Sequence, residues 1–183
     1  MINIGRLLAR RAELDPEREG LVFGETRLTY RQFNREANRV AHALAHLGVR
    51  KGDRVGLISM NSPRFCEVFF AVAKLGAVLV TLNWRLAPPE LEWICANAGV
   101  NVLVFDGEFS PTVGTMRPNL AATRYAVVDG EALSWAPSLD AIAAGASDEE
   151  PPAEGGDDDP LLIMYTSGTT GRPKGAVITH ANL

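Results

Sequence analysis

Apolar positions along this chain change period several times, and each change marks an element. Ile4, Leu7, Leu8 and Ala12 recur at helical spacing until Pro16, and Leu21-Val22-Phe23 and Arg27-Leu28-Thr29 then predict a hairpin around Gly24. Thr29 followed by Gln32 reads as a capping box, and Phe33, Ala37, Val40, Ala41, Leu44 and Leu47 lie on one helical face that Gly48 closes. Val55–Ser59 reads as a buried strand. Asn61 or Ser62 then caps a helix with Pro63 in its first turn, bearing Phe65, Val68, Phe69, Val72 and Leu75, which Gly76 ends before a strand over Ala77–Leu82. Pro88 and Pro89 start another helix with Leu91, Ile94, Cys95 and Ala98 on one side, Gly99 stops it, and Val100–Phe105 and Tyr125–Val128 are further strands.

Strand, helix and strand in that order, with strands apolar almost throughout, is the pattern of parallel crossovers in a sheet buried on both faces. The expected fold is therefore α/β, with a mostly parallel sheet flanked by helices. Between 147 and 160 the composition shifts to Asp, Glu, Gly and Pro. That divides the chain into a first α/β subdomain over 1–146, a solvated acidic linker over 147–160, and a strand, loop and strand over 161–183 opening a second subdomain.

A chain of 183 residues with 46% hydrophobic content is long enough for one real core. Net charge −4 and arginines spread through the first half argue against a nucleic-acid partner. Cys66 and Cys95, both in helical stretches among apolar neighbours, behave as small hydrophobes and fit a reducing, cytoplasmic setting. The longest apolar stretch, Val68–Leu82, is too short to span a bilayer and contains Lys74. His42 and His46 have a spacing that can hold zinc, but they lie opposite the apolar face and read as exposed surface histidines. The run Asp157-Asp158-Asp159 reads as solvated carboxylates rather than a metal site.

The richest chemistry lies between Tyr165 and Gly175, in the string Tyr-Thr-Ser-Gly-Thr-Thr-Gly-Arg-Pro-Lys-Gly. Leu161–Met164 precedes it and Ala176–Thr179 follows, so it reads as a loop between two strands. Gly168, Gly171 and Gly175 can take positive φ and let a ligand approach the backbone, while Thr166, Ser167, Thr169 and Thr170 present small hydroxyls. Lys174 adds a mobile cation, and successive N–H groups in a tight turn form a concavity for anions. The expected ligand is a polyphosphate. A Walker A loop does not fit, because Pro173 stands where its second glycine belongs, Gly175 replaces the magnesium-binding hydroxyl, and β-branched residues follow instead of a helix. A glycine-rich hairpin loop with no ligand is the plain structural alternative.

This string resembles the phosphate-binding signature of the adenylate-forming enzymes, a family of acyl-CoA synthetases, luciferase and peptide-synthetase adenylation domains. Leu28–Phe33 and the stretches Ala73–Val78 and Asn83–Leu86 resemble two further signatures, with Thr81 a departure where many acyl-CoA synthetases have proline. Without the resemblance both stretches are structural, a capped helix entry and a helix-to-strand turn. The resemblance implies the first part of the family's large N-terminal domain, and a reaction in which a carboxylate, a fatty acid first among candidates, attacks the α-phosphate of ATP before coenzyme A takes the acyl group. It implies Mg2+ as cofactor and phosphate-binding roles for Thr166, Ser167, Gly168, Thr169, Thr170, Gly171, Lys174 and Gly175, with Thr166 nearest the magnesium.

The family's adenine-binding segment, hinge and catalytic lysine have no counterpart in this sequence, so no catalytic residue is assigned. The Thr179 hydroxyl reads as the N-cap of a helix with no length to develop before Leu183, as in a truncated chain. The expectation is an N-terminal fragment of an acyl-CoA ligase, inactive alone. The alternatives are a stand-alone nucleotide-binding or partner-docking module, or a gene remnant, and an aryl-CoA ligase or peptide-synthetase-type domain.

Overall fold

The computed structural model describes residues 3–120, 124–152, 154–166 and 172–183. The chain opens with α1 (Ile4–Leu14), capped by the Asn3 side chain, and a hairpin of β1 (Glu19–Phe23) and β2 (Thr26–Thr29). Helix α2 (Tyr30–His46) starts on the expected box, with Gln32 N–H donating to the Thr29 hydroxyl and the Thr29 N–H donating to the Gln32 side chain. Next come β3 (Arg54–Ile58), α3 (Pro63–Lys74) capped by Ser62, β4 (Val78–Leu82), α4 (Pro88–Ala98) and β5 (Val102–Asp106). Then follow α5 (Ser110–Met116), β6 (Arg124–Val128), α6 (Leu139–Ala144), β7 (Pro160–Thr166) and β8 (Lys174–Thr179).

Among the described residues β3–β8 form one sheet in the order β6-β5-β3-β4-β7-β8. It is parallel from β6 to β7, and β8 returns antiparallel at the edge. Strand alternation divides the core into two layers. Val55, Leu57, Leu79, Val102, Val104, Ala126 and Val128 pack against α2, α3 and α6 on one face. Ile58, Val80, Leu82, Leu103, Phe105, Tyr125 and Val127 pack against α4 and α5 on the other. Each strand residue therefore has an apolar neighbour above or below, which is why the central strands read as continuous apolar runs and not as alternation.

Some sequence expectations change here. Leu7 is exposed although Ile4 and Leu8, one turn apart, are buried, so α1 buries a narrower stripe than its spacing implied. Helices α5 and α6 had no expected counterpart. The Ser-Pro-Thr-Val-Gly-Thr-Met of α5 mixes proline, glycine and β-branched residues, and its helix is held by Val113 and Met116 docking in the core.

The third segment, 161–183, does not open a second sheet: β7 pairs with β4, Leu79 opposite Leu162 and Thr81 opposite Met164, and so extends the first. Residues 147–160 are not a free linker either. The segment lies as a strap over α2 and α3, where Asn38 donates to the Asp148 carbonyl at 2.9 Å, Lys74 Nζ donates to Glu150, and Pro151 is buried. Farther along, Lys51 pairs with Asp159 at 3.0 Å and the Asn3 amide donates to the Glu154 carbonyl at 3.0 Å. His42 is half-buried, not exposed, because the strap passes over it and its Nε2 lies 3.0 Å from the Glu149 carbonyl oxygen. The strap closes on the far end of the sheet, where His180 is fully buried and its Nδ1 accepts from Ile4 N–H at 3.1 Å.

Candidate functional site

In a sheet of this topology ligands gather outside the carboxyl ends of the parallel strands, where loops are free of the crossover helices. Two places at that end hold polar groups. The first is the reversal of strand order between β3 and β5. There the Asp106 carboxylate, 7% exposed, accepts from Met60 N–H at 3.0 Å, and burial pushes its carboxyl above the usual range. Backbone fills that crevice: a Cβ on Gly107 would stand 2.9 Å from the Cα of Gly130. Nothing larger than the two glycines fits between them.

The second place is the end of β4 and β7, and it stays open. A cavity of about 220 Å³ is lined there by Thr81, Leu82, Asn83, Leu86, Ile94, Met164 and Tyr165. Beside it the β7–β8 hairpin carries the glycine- and threonine-rich loop. Thr166 ends β7 and Lys174 begins β8 directly opposite in the register, both exposed. A hydroxyl and a cation therefore face the same opening from the two stems. Ser167, Gly168, Thr169, Thr170 and Gly171 lie outside the described residues.

Gly175 plays a different part from the one expected. It lies within β8 opposite Tyr165 and its φ is not positive. A Cβ there would come within 3.0 Å of Ile163 Cγ2 and of Tyr165 Cζ, so glycine leaves room for the tyrosine ring to cross the strand. Adjacency of strands, invisible from residue spacing, sets this requirement.

The structure brings to the loop's stems two side chains that the sequence reading did not name, Trp93 and Asn97. The Tyr165 hydroxyl donates to Asn97 Oδ1 of α4 at 2.6 Å. The Trp93 ring meets Tyr165 edge-on, centroids 6.1 Å apart, and the Arg172 guanidinium carbon lies 5.7 Å from the centroid of the same ring. Burial, with the neighbouring Cys95 adding to it, pushes the Tyr165 phenol up, so it stays a neutral donor at physiological pH. Trp93 and Asn97 stand four apart and so share one helical face, a spacing that gave no signal without knowing what α4 packs against.

Among the described residues no group of three or more His, Cys, Asp or Glu is placed to hold a metal ion. A magnesium ion would be held here as Mg2+ commonly is, by a protein oxygen or two together with the phosphates that it accompanies. The exposed Thr166 hydroxyl is an oxygen donor of that kind. No helix among the described residues is long and apolar enough to cross a membrane.

Comparison with known proteins identifies the family. A family model described as AMP-binding enzyme matches residues 8–183. The chain is 43% identical, over its whole length, to a long-chain-fatty-acid–CoA ligase, FadD13, of Mycobacterium tuberculosis, and 43% identical over 98% of its length to a feruloyl-CoA synthase of an Amycolatopsis species. It covers 36% and 34% of those two proteins, so it spans about a third of the length of the curated relatives it matches. Among solved structures, the N-terminal domain of FACL13 from M. tuberculosis superposes with a TM-score of 0.89 at 42% identity, over 98% of this chain and 45% of that one. An anthranilate CoA ligase, AuaEII, in complex with anthranoyl-AMP superposes with a TM-score of 0.92 at 32% identity, over 97% of this chain and 35% of that one. With its open hairpin at the carboxyl end of a mostly parallel sheet and a family match over nearly its whole length, this chain belongs to the AMP-binding enzymes.

Proposed function

We propose that this chain is the N-terminal part of an ATP-dependent acyl-CoA ligase, which activates a carboxylic acid as acyl-adenylate with release of pyrophosphate and passes the acyl group to coenzyme A. The observation that carries this is the hairpin: Thr166 and Lys174 face each other across the stems of a glycine-rich loop at the carboxyl end of β7. Bringing a carboxylate to a triphosphate sets two anions together, and the barrier falls only if cations and oriented donors offset the charge. In this reading Lys174 reaches the β and γ phosphates, while Thr166, Ser167, Gly168, Thr169, Thr170, Gly171 and Gly175 shape or line the loop around their oxygens. Magnesium, when bound with ATP, would neutralise part of the phosphate charge beside the Thr166 hydroxyl.

The acid is proposed to be a fatty acid, by likeness to the FadD13 ligase, with an aryl acid as the runner-up. Equal identity to a feruloyl-CoA synthase supports that second choice. The 183 residues correspond to about a third of the relatives' length and supply no catalytic residue in this reading. The chain by itself should therefore release no pyrophosphate from ATP and a fatty acid, and measurable release would overturn that expectation.

Titration of magnesium-ATP into the folded chain tests the loop itself. Saturable binding is expected, weakened about tenfold or more by Lys174→Ala and to a smaller degree by Thr166→Ala, because a charge-assisted contact is stronger than a neutral one. Binding undiminished in both variants would refute the assignment, and no binding by the folded chain would show that the loop does not suffice.

A further inference from the structure

Both stems of the loop rest on a single side chain of the sheet's neighbouring helix. Tyr165, the last residue but one of β7, meets the edge of Trp93, and Arg172, two residues before β8, stands over the same indole. One turn farther along α4, Asn97 accepts the Tyr165 hydroxyl. Trp93 itself is half-buried against the α4 layer of the core, beside Ile94 and Cys95, so its ring is held by the core while it meets the two stems. Arg172 is itself exposed, with its guanidinium carbon 5.7 Å from the ring centroid.

We propose that Trp93, with Asn97, is a positioning platform for the phosphate-binding loop, tying the strand that enters it and the segment that leaves it to one rigid helix. The role rests on the phosphate-binding reading above for its purpose, though not for its geometry. Neither residue needs to touch nucleotide. Their effect is to limit how far the stems, and with them Thr166 and Lys174, move apart before a ligand arrives, so that less ordering is left to be done on binding. Edge-on aromatic contacts and a guanidinium over an indole are each modest, but they act on the two stems together.

Amide hydrogen exchange on the 183-residue chain tests this without any ligand, reading residues 164–166 and 174–176 at the loop end of the hairpin and 102–106 in β5 as an internal reference. Trp93→Leu should speed exchange at the hairpin end about tenfold, and Arg172→Gln about threefold, with β5 unchanged. Because both act through one ring, the double variant should exchange no faster than Trp93→Leu alone. Trp93→Phe and Arg172→Lys, which keep a ring and a cation, should stay within about twofold of the parent. Unchanged exchange at the hairpin end in Trp93→Leu, additive effects in the double variant, or equal acceleration in β5 would each overturn the proposal.

Should Trp93→Leu fail to fold, the exposed change Arg172→Gln and the loss of one hydroxyl in Tyr165→Phe carry the same test, each with faster exchange confined to the hairpin end. Titration of magnesium tripolyphosphate into the same proteins separates the two readings. Absence of binding by the parent chain together with the coupled exchange pattern would show that the loop does not suffice for a polyphosphate, while the tie between helix and stems would stand. Binding by the parent that Trp93→Leu leaves unaltered would remove the platform's purpose and overturn it.

Discussion

Lys74 and Glu150 form a pair whose two halves should behave very differently when removed. The Lys74 side chain is 2% exposed and that of Glu150 is 39% exposed, because the strap lays the glutamate over a lysine already sealed between α2 and α3. Replacing Glu150 by alanine leaves an ammonium in the interior with Asn34 Oδ1, at 3.0 Å, as its remaining partner among the described residues. An ion stranded in this way costs about 3 kcal/mol. Replacing Lys74 by methionine leaves the glutamate, which turns to water while the buried stem is refilled by a side chain of similar volume, at a cost of about 1 kcal/mol.

The two variants should therefore differ by about 2 kcal/mol, roughly a thirtyfold difference in the folded-to-unfolded ratio, with Glu150→Ala the weaker. Urea unfolding followed by circular dichroism at pH 7, compared at a common slope, measures this. Equal losses, or a larger loss in Lys74→Met, would refute the reasoning. The pH dependence supplies a second check. Burial holds the Lys74 ammonium below its usual value of 10.5 even with Glu150 beside it, and removing the glutamate lowers it further. Between the folded value and 10.5 the unfolded chain binds more protons, so stability rises with pH. The deficit of Glu150→Ala should shrink as the solution becomes alkaline.

Two further outcomes follow from the sheet's edge. Burial lowers the His180 imidazolium below its usual 6.5 against the raising influence of Asp159 and Asp157, so the unfolded chain takes up the proton first and stability falls as pH drops through 6.5. Unfolding of His180→Gln between pH 7.5 and 5.5 should lack that part of the loss, and a parent-like slope would contradict the assignment. Gly175→Ala should cost about 1 kcal/mol and lower the melting temperature by about 3 °C, since the added methyl presses on Ile163 and the Tyr165 ring. An unchanged melting temperature would mean that the ring yields freely.

Where local signals sufficed, the chain could be read directly. The box at Thr29 and Gln32, the Ser62 cap followed by Pro63, and the glycine that follows α4 in a left-handed conformation act within a turn of the residues they govern. The strap shows the opposite case. Its Asp, Glu, Gly and Pro resemble solvated linker until Asn38, His42 and Lys74, more than seventy residues earlier, are seen to collect its carbonyls and carboxylates.

Sequence by itself determined that this is an α/β protein with buried parallel strands, and where α2, α3 and α4 begin, since each depends on backbone preference and side-chain chemistry over a few neighbouring residues. Tertiary structure alone decided that the hairpin joins β4 in the same sheet, that Gly175 is needed for the space of a ring and not for its φ, and that Trp93 and Asn97 meet the residues flanking the loop. Those facts depend on which distant segments meet, and that is settled by packing the whole core at once.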